Sequence, residues 1–254
     1  MIATFLGTGT SQGVPVIACS CEVCTSLDYR DKRLRTSIHL SIEDQSFIVD
    51  TGPDFRQQML RERIPRVDAV LFTHAHRDHT AGLDDVRAYN FLQEMDMPVY
   101  GTAPVLEQLK VEYAYAFSDF KYPGIPRLLL NEINSEPFKI NNVHITPLPV
   151  MHMKLPVLGF RVNNFSYITD ANYIPEETYE RLKGTEILVL NALQVEKHIS
   201  HFNLEEAIEV VDRIKPKKTY FTHISHKLGK HTPIEKKLPA HISLAYDGLQ
   251  IVIS

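Results

Sequence analysis

His74-Ala75-His76-Arg77-Asp78-His79 sets four metal-ligand side chains within six consecutive residues. The run follows Val67-Asp68-Ala69-Val70-Leu71-Phe72-Thr73, whose mostly apolar composition predicts a buried strand over 67–73. Side chains two apart in an extended chain point the same way, so His74 and His76 can converge on one ion as the strand runs out. Where the chain then turns, Asp78 and His79 can project to a second, adjacent ion. Imidazole with carboxylate suits borderline and hard divalent metals such as zinc, manganese or iron. A solvated loop that is histidine-rich by chance is the alternative, and the position just after an apolar strand argues against it.

Two ions need more ligands, and the sequence offers them at other predicted strand ends. His152 follows 143–150, Asp170 follows Ser166-Tyr167-Ile168-Thr169, and His223 follows Lys218-Thr219-Tyr220-Phe221-Thr222. Singly, each reads as a structural residue. Jointly they repeat one pattern, a polar residue where the backbone leaves the core.

Working outward, further strands are predicted at 2–6, 37–42, 46–50, 98–100, 158–162, 165–169, 186–190 and 249–253. Helices are predicted at 55–63 with Asp54 as N-cap, and at 84–93, 104–115, 175–182 and 204–214. Strand pairs mixed with strand–helix alternation predict an α/β chain of sheets flanked by helices. The aromatic, Pro- and Gly-interrupted stretch 117–126 predicts an irregular loop or cap. No repeat, low-complexity tract or linker divides residues 1–254, which read as a single domain. Gly7-Thr8-Gly9-Thr10-Ser11-Gln12-Gly13 departs by one residue from the dinucleotide-binding spacing and precedes no helix pattern, so it reads as a tight turn near an active site.

The 254 residues are enough to bury a substantial core, and 44% hydrophobic with 23% charged residues is ordinary for a globular chain. Lys and Arg number 27 against 31 Asp and Glu, a net charge of −4 without a basic stripe, which disfavours long nucleic acid as a partner. The charge balance leaves open a small anion held through metal ions, because metal charge can dominate a site. The N-terminus lacks signal-peptide character, and no stretch approaches the roughly 20 apolar residues that span a bilayer. The expectation is a cytoplasmic protein with no membrane partner.

Cys19-Ser20-Cys21-Glu22-Val23-Cys24 contains all three cysteines, an odd cluster that cannot form a self-contained disulfide framework. A structural zinc is the natural reading, since such sites are closed and tetrahedral. His226, three residues after His223, is the candidate fourth ligand. Three incidental thiols are the alternative.

The histidine run, preceded by Asp50-Thr51-Gly52-Pro53-Asp54 and followed by His152, Asp170 and His223, resembles the metallo-β-lactamase superfamily along nearly the whole chain. The resemblance implies an αββα sandwich, two central mixed sheets flanked by helices, with metals at one edge. It implies His74, His76 and His152 on one divalent cation and Asp78, His79 and His223 on the other, either zinc or manganese. Asp170 would bridge them together with a water or hydroxide. Asp50 would orient a ligand histidine or a nearby loop, or serve as a turn residue at a strand end. The cysteine cluster resembles the phosphodiesterase branch typified by PhnP, whose N-terminal cysteine loop binds zinc with a completing histidine. PqqB-type proteins share such a loop and are expected to be longer.

That branch implies a hydrolase acting on a small phosphodiester, cyclic ones included, through two ions about 3.5–4 Å apart that acidify the bridging water. Asp78 and His201 are the candidate catalytic residues. His201, just before the helix at 204–214, matches a histidine that such enzymes use near the leaving group, as general acid or transition-state donor. His198 is its competitor. Arg77 and Arg87 can contact an anionic substrate or lie on the surface as ordinary arginines. His39, His144, His231 and His241 read as structural or surface residues. Asn191 departs from the acidic residue that relatives often place there. The resemblance further implies a homodimer. Competing readings on the same fold are a thioester or lactone hydrolase of the glyoxalase II type and transfer-RNA processing as in tRNase Z, for which no basic arm is present. A non-enzymatic metal-binding protein is disfavoured because every expected ligand position is filled.

Overall fold

The computed structural model describes residues 1–119 and 123–253. Residues 120–122, inside the stretch expected to be an irregular loop, lie outside the described residues. Among the described residues, two seven-stranded sheets are formed. The first runs Gln250–Val252, Ile2–Gly7, Ser37–Ile42, Gln45–Val49, Ala69–Leu71, Met97–Gly101, Leu128–Glu132 across its width. The second runs Ile242–Leu244, Lys218–Thr222, Ile187–Asn191, Phe165–Tyr167, Leu155–Val162, Val143–His152, Phe138–Ile140. Both are mixed. Antiparallel hairpins make one half of each, and parallel strands make the other.

Side-chain alternation along the strands decides the layers. In Gln45–Val49, Phe47 and Val49 enter a core that also holds Phe160, Phe165 and Tyr167 of the second sheet. Ile48, between them, faces the other way, into a cluster with Phe55, Met59, Val86 and Leu109 from the covering helices. The second sheet repeats this: Val189 turns inward, whereas Leu188 and Leu190 pack with Leu182, Ala207 and Val211 of helices on its outer face. Helix, sheet, sheet and helix therefore stack in four layers. Each fully buried Phe or Leu contributes about 1.5–3 kcal/mol to holding them together.

The helix Leu204–Ile214 begins at a capping box in which Asn203 accepts from the Glu206 amide and Glu206 reaches back to the Asn203 amide. Such a cap stabilises a helix start by about 1 kcal/mol. It fixes the exit of the loop that carries His198 and His201.

Several boundaries differ from the sequence expectation. The strand at 67–73 shortens to Ala69–Leu71. The helix expected at 84–93 opens as a 3₁₀ turn, Leu83–Val86, before Arg87–Gln93 becomes α-helical. The helix at 104–115 breaks at Tyr113 into Ala103–Glu112 and Ala114–Phe117. Asp54 makes no side-chain cap, because its carboxylate is taken by Arg35 at 2.9 Å. Strands Leu128–Glu132, Phe138–Ile140 and Ile242–Leu244 were not expected; all are short, and the first two carry exposed residues that blur alternation. Among the described residues, no helix is long and apolar enough to cross a membrane.

Candidate metal centre

The parallel halves of both sheets end at one edge, and most of the ligand-type residues stand there, as binding groups do in open α/β sheets; His152 comes from the end of the antiparallel strand Val143–His152. Three of the turning points are strained. Asp50 and His223, immediately after their strands, and Asp170, three residues past Tyr167 at the end of Phe165–Tyr167, hold left-handed φ angles of 64°, 54° and 55°. For residues other than glycine this costs on the order of 1–3 kcal/mol each, so the surrounding structure must enforce it. Part of the enforcement is close backbone packing. A Cβ on Gly52 would meet the Asp78 carbonyl oxygen at 2.1 Å, and the Thr51 amide donates to the His79 carbonyl at 2.8 Å. The Asp50-Thr51-Gly52 turn is thereby stitched to the histidine run. The glycine-rich loop at residues 7–13 is likewise near the site: the Ile224 amide, next to His223, donates to the Thr8 carbonyl at 2.8 Å.

The structure brings all seven expected catalytic-pair residues to this edge. The His74 and His76 ring centroids are 4.6 Å apart, those of His76 and His152 are 5.2 Å apart, and those of His74 and His79 are 4.3 Å apart. Ligand atoms of Asp78, His79, Asp170 and His223 all lie within 4.8 Å of one another. Asp170 lies 3.3 Å from His79 Nε2 and 3.1 Å from His223 Nε2, and its ligand atom also groups with that of His152 within 4.8 Å.

Several of these nitrogens have no proper partner. His74 Nε2, His79 Nε2 and both ring nitrogens of His223 are buried without a hydrogen bond. His79 Nε2 is near two carboxylates in distance, yet not in hydrogen-bond direction. Buried imidazole nitrogens are normally paired. Imidazole nitrogens that converge on carboxylates without hydrogen-bond partners fit divalent cations, which this donor set would hold in place of the protons that the carboxylates otherwise favour on His79 and His223.

Electrostatics follow the same packing. Burial pushes the His74 pKa well below the ordinary histidine value, and the neighbouring His79 charge pushes it further. Burial also opposes charge on His79, but Asp170, Asp50 and Asp78 together lift it well above that value. His223 is raised to about 9 against its own burial by the Asp170 carboxylate. Asp170 is desolvated, yet His223 and His79 hold it well below the usual carboxylate range, and Asp78 is lowered in the same way. The edge is thus a lattice of mutually dependent charges.

His201 is closer to this lattice than a leaving-group residue needs to be. Its Nε2 lies 3.1 Å from Asp170 Oδ1, and its ring stacks on His223 at 4.8 Å. Its ligand atom groups with those of His152 and Asp170 within 4.8 Å. Burial pushes His201 down to about 4, so at neutral pH it is an uncharged ring that can donate one N–H. His198 is exposed and meets Ser200 Oγ at 3.2 Å.

Asp50, at its strand-end turn, accepts from His79 Nδ1 at 2.7 Å and from the Thr73 amide at 2.9 Å, a geometry that fits both of its expected readings, orienting residue and turn residue. Asn191 is fully buried and makes two bonds to Ala171: it accepts from the amide at 2.8 Å and donates to the carbonyl at 2.9 Å. A carboxylate could do only the first. Arg77 pairs with Glu112 at 3.3 Å and Arg87 with Asp84 at 3.1 Å, so neither faces the centre unpartnered. His39 and His231 are buried, His144 is exposed and His241 is half-buried. Sequence reasoning passed over Thr73, Asn172 and Ser200. The Asn172 side chain accepts from the Met153 amide at 2.7 Å and donates to the Ile199 carbonyl at 3.2 Å, tying the loops beside His152 and His201. Proximity in sequence to ligand positions was the only signal for these three.

Away from the edge, Cys19, Cys21 and Cys24 surround His226 Nδ1 with Sγ distances of 3.3, 3.3 and 3.5 Å. The Cys24 amide and His226 hold the Cys21 thiol down at about 6, whereas burial pushes Cys24 up to about 11. Three thiols facing one imidazole nitrogen match a closed tetrahedral zinc site.

The family described as the beta-lactamase superfamily domain matches residues 45–224. An octanoyltransferase of Porphyromonas gingivalis is 40% identical over 257 residues, a match covering 100% of this chain. The chain spans about half of that relative's length, 52%. A solved diphosphatase of the PhnP family superposes with a TM-score of 0.92 at 38% identity, covering 98% of this chain and 96% of that one. Zinc-bound PqqB of Methylobacterium extorquens superposes at 0.82 with 18% identity over the full length of both chains, a likeness of fold.

Proposed function

Because the chain belongs to the metallo-β-lactamase superfamily, we propose that it is a metal-dependent hydrolase cleaving a small phosphodiester. The observation that carries this reading is the convergence of His74, His76, His79, His152, His223, Asp78 and Asp170, with buried Nε2 atoms left unpartnered. His74, His76, His152 and Asp170 would hold one divalent cation, and Asp78, His79, His223 and Asp170 the other. Such a pair, zinc or manganese, supplies an acidified water and neutralises charge on a phosphoryl group. The protein's own residues do the rest. Asp170 stays ionised between the two histidine sets. His201, neutral with a hydrogen on the Nε2 that faces Asp170, is the donor able to meet a leaving oxygen when substrate enters. Cys19, Cys21, Cys24 and His226 would hold a separate structural zinc that ties the N-terminal loop to the segment after His223. Reduced thiols in that arrangement suit a cytoplasmic protein.

The 38% identity to a diphosphatase supports phosphoryl chemistry. A second reading, hydrolysis of an acyl thioester or ester, has one specific observation behind it, the match to an octanoyltransferase. Parallel assays on bis-p-nitrophenyl phosphate, pyrophosphate and an acyl thioester separate the readings. Turnover of the phosphodiester that disappears with chelator and returns with zinc or manganese is expected. Thioester turnover alone would overturn the phosphodiesterase reading.

A further inference from the structure

We infer that Thr73 is a positioning residue whose hydroxyl extends the reach of Asp50 to His74, so that one carboxylate sets the ring tautomer of a histidine in each of the two cation sites. The inference rests on the two-cation reading above and deepens it.

Four buried side chains form an unbroken chain, His79, Asp50, Thr73 and His74, each at most 1% exposed. Asp50 Oδ1 accepts from the Thr73 amide at 2.9 Å, and its Oδ2 faces both His79 Nδ1 at 2.7 Å and Thr73 Oγ1 at 2.8 Å. Thr73 Oγ1 also faces His74 Nδ1 at 2.9 Å. Counting protons resolves every bond. An ionised carboxylate only accepts, so His79 must carry its hydrogen on Nδ1, and the threonine must direct its single hydroxyl hydrogen at Oδ2. The threonine oxygen can then only accept from His74, which places the hydrogen of that ring on Nδ1. In both rings Nε2 is therefore the nitrogen left for a cation. Both of those atoms are buried without a hydrogen-bond partner.

The consequence is a shared orientation device. His79 belongs to one candidate cation set and His74 to the other, with their ring centroids 4.3 Å apart. The direct link to His79 does not need the hydroxyl, whereas the link to His74 does. Threonine and serine can relay; valine, of nearly the same shape, cannot. Partners that hold a ligand histidine in this way typically govern metal affinity by about 10–100-fold.

The test uses full-length protein stripped of its metals and titrated with zinc in competition with a chromophoric chelator. Wild type should take up two ions at the histidine centre; if it does not, the two-cation reading fails before any variant is made. Thr73→Val is expected to weaken one of the two by about 10–100-fold while the other stays within about threefold, and Thr73→Ser to restore the first. Unchanged affinities in Thr73→Val, or a serine variant as weak as valine, would overturn the inference. Should the valine variant fail to fold, long-range ¹⁵N–¹H spectra of the wild type decide. His74 protonated on Nδ1 supports the relay, and His74 protonated on Nε2 ends it.

Discussion

His152 Nδ1 lies 2.7 Å from the carbonyl oxygen of Ser200, so the end of a long strand is tied directly to the loop that presents His201. A carbonyl can only accept, so His152 keeps its hydrogen on Nδ1 and leaves Nε2 toward the cluster. Ser200 also meets His201 Nδ1 through its hydroxyl at 2.9 Å. The backbone of Ser200 therefore serves a candidate ligand, and its side chain serves a candidate donor. Replacing His201 removes the donor while leaving the His152–Ser200 backbone link intact. His201→Ala is expected to retain its metals and lose about a hundredfold or more in turnover of a chromogenic phosphodiester. Metal analysis beside steady-state rates checks this. Wild-type rates would remove His201 from the reaction, and loss of metal would make it a ligand instead.

The cysteine cluster makes a separate prediction. A serine hydroxyl does not ionise near neutral pH and cannot replace the Cys21 thiol, which its neighbours hold at about 6. Substituting Ser at Cys19, Cys21 and Cys24 together is expected to remove one zinc per chain by elemental analysis. It should also loosen the N-terminal loop, whose small core is little more than Val14, Val23 and Cys24. Unchanged metal content would end the Cys3His reading.

The edge that carries the site was legible because its chemistry is local. His74 to His79 are consecutive, and His152, Asp170 and His223 each stand at a strand end that apolar runs mark clearly. Folding had only to bring those ends to one rim; parallel strand pairs do so for Asp170, His223 and the histidine run, and the antiparallel strand Val143–His152 delivers His152. What was not legible depends on partners distant in sequence. Asp54 has the residue type and position of an N-cap, but Arg35, nineteen positions earlier, takes its carboxylate. Asn191 looked like a departure until its two bonds to Ala171 gave an amide a task that a carboxylate cannot perform. Thr73 carries no ligand atom, and its part emerges only once Asp50 is folded against it. Leu128–Glu132 lies at the sheet margin, where partly exposed side chains dilute the alternation that reveals a strand.

Asn191 can be tested through that same pair of bonds. Asn191→Asp keeps an acceptor for the Ala171 amide but turns a second oxygen on the Ala171 carbonyl. Two facing acceptors in a fully buried position are expected to cost about 1–3 kcal/mol. Because Ala171 follows Asp170, whose φ is 55°, the strain should reach the centre as weaker metal retention. Thermal melting with and without added zinc reads both effects. A variant as stable and as well loaded as wild type would show that the amide is dispensable.

The buried histidines predict how stability varies with pH once metals are removed. Burial pushes His39 from 6.5 to about 4, and it does the same to His231, with the adjacent Arg33 and Arg30 charges adding to the effect. Between those values the unfolded chain takes up protons that the folded rings refuse. Their contribution is therefore complete above pH 6.5 and is lost as pH falls from 6.5 toward about 4, each group contributing at most about 1.4 kcal/mol per pH unit. His223 acts in the opposite sense. Its burial is outweighed by Asp170, and its folded value rises to about 9, so its contribution is complete below 6.5 and is lost as pH climbs through 9. Chelator-treated protein should accordingly melt highest near pH 6.5 and lower on both sides. The alkaline decline should vanish when zinc is restored, because a ligand histidine must be deprotonated to bind. Exchanging both His39 and His231 for Gln should make the acid side shallower and leave the alkaline side unchanged, with the lowered His74 and His201 accounting for the acid slope that stays. An acid side of undiminished slope in that double variant would assign the loss to other groups.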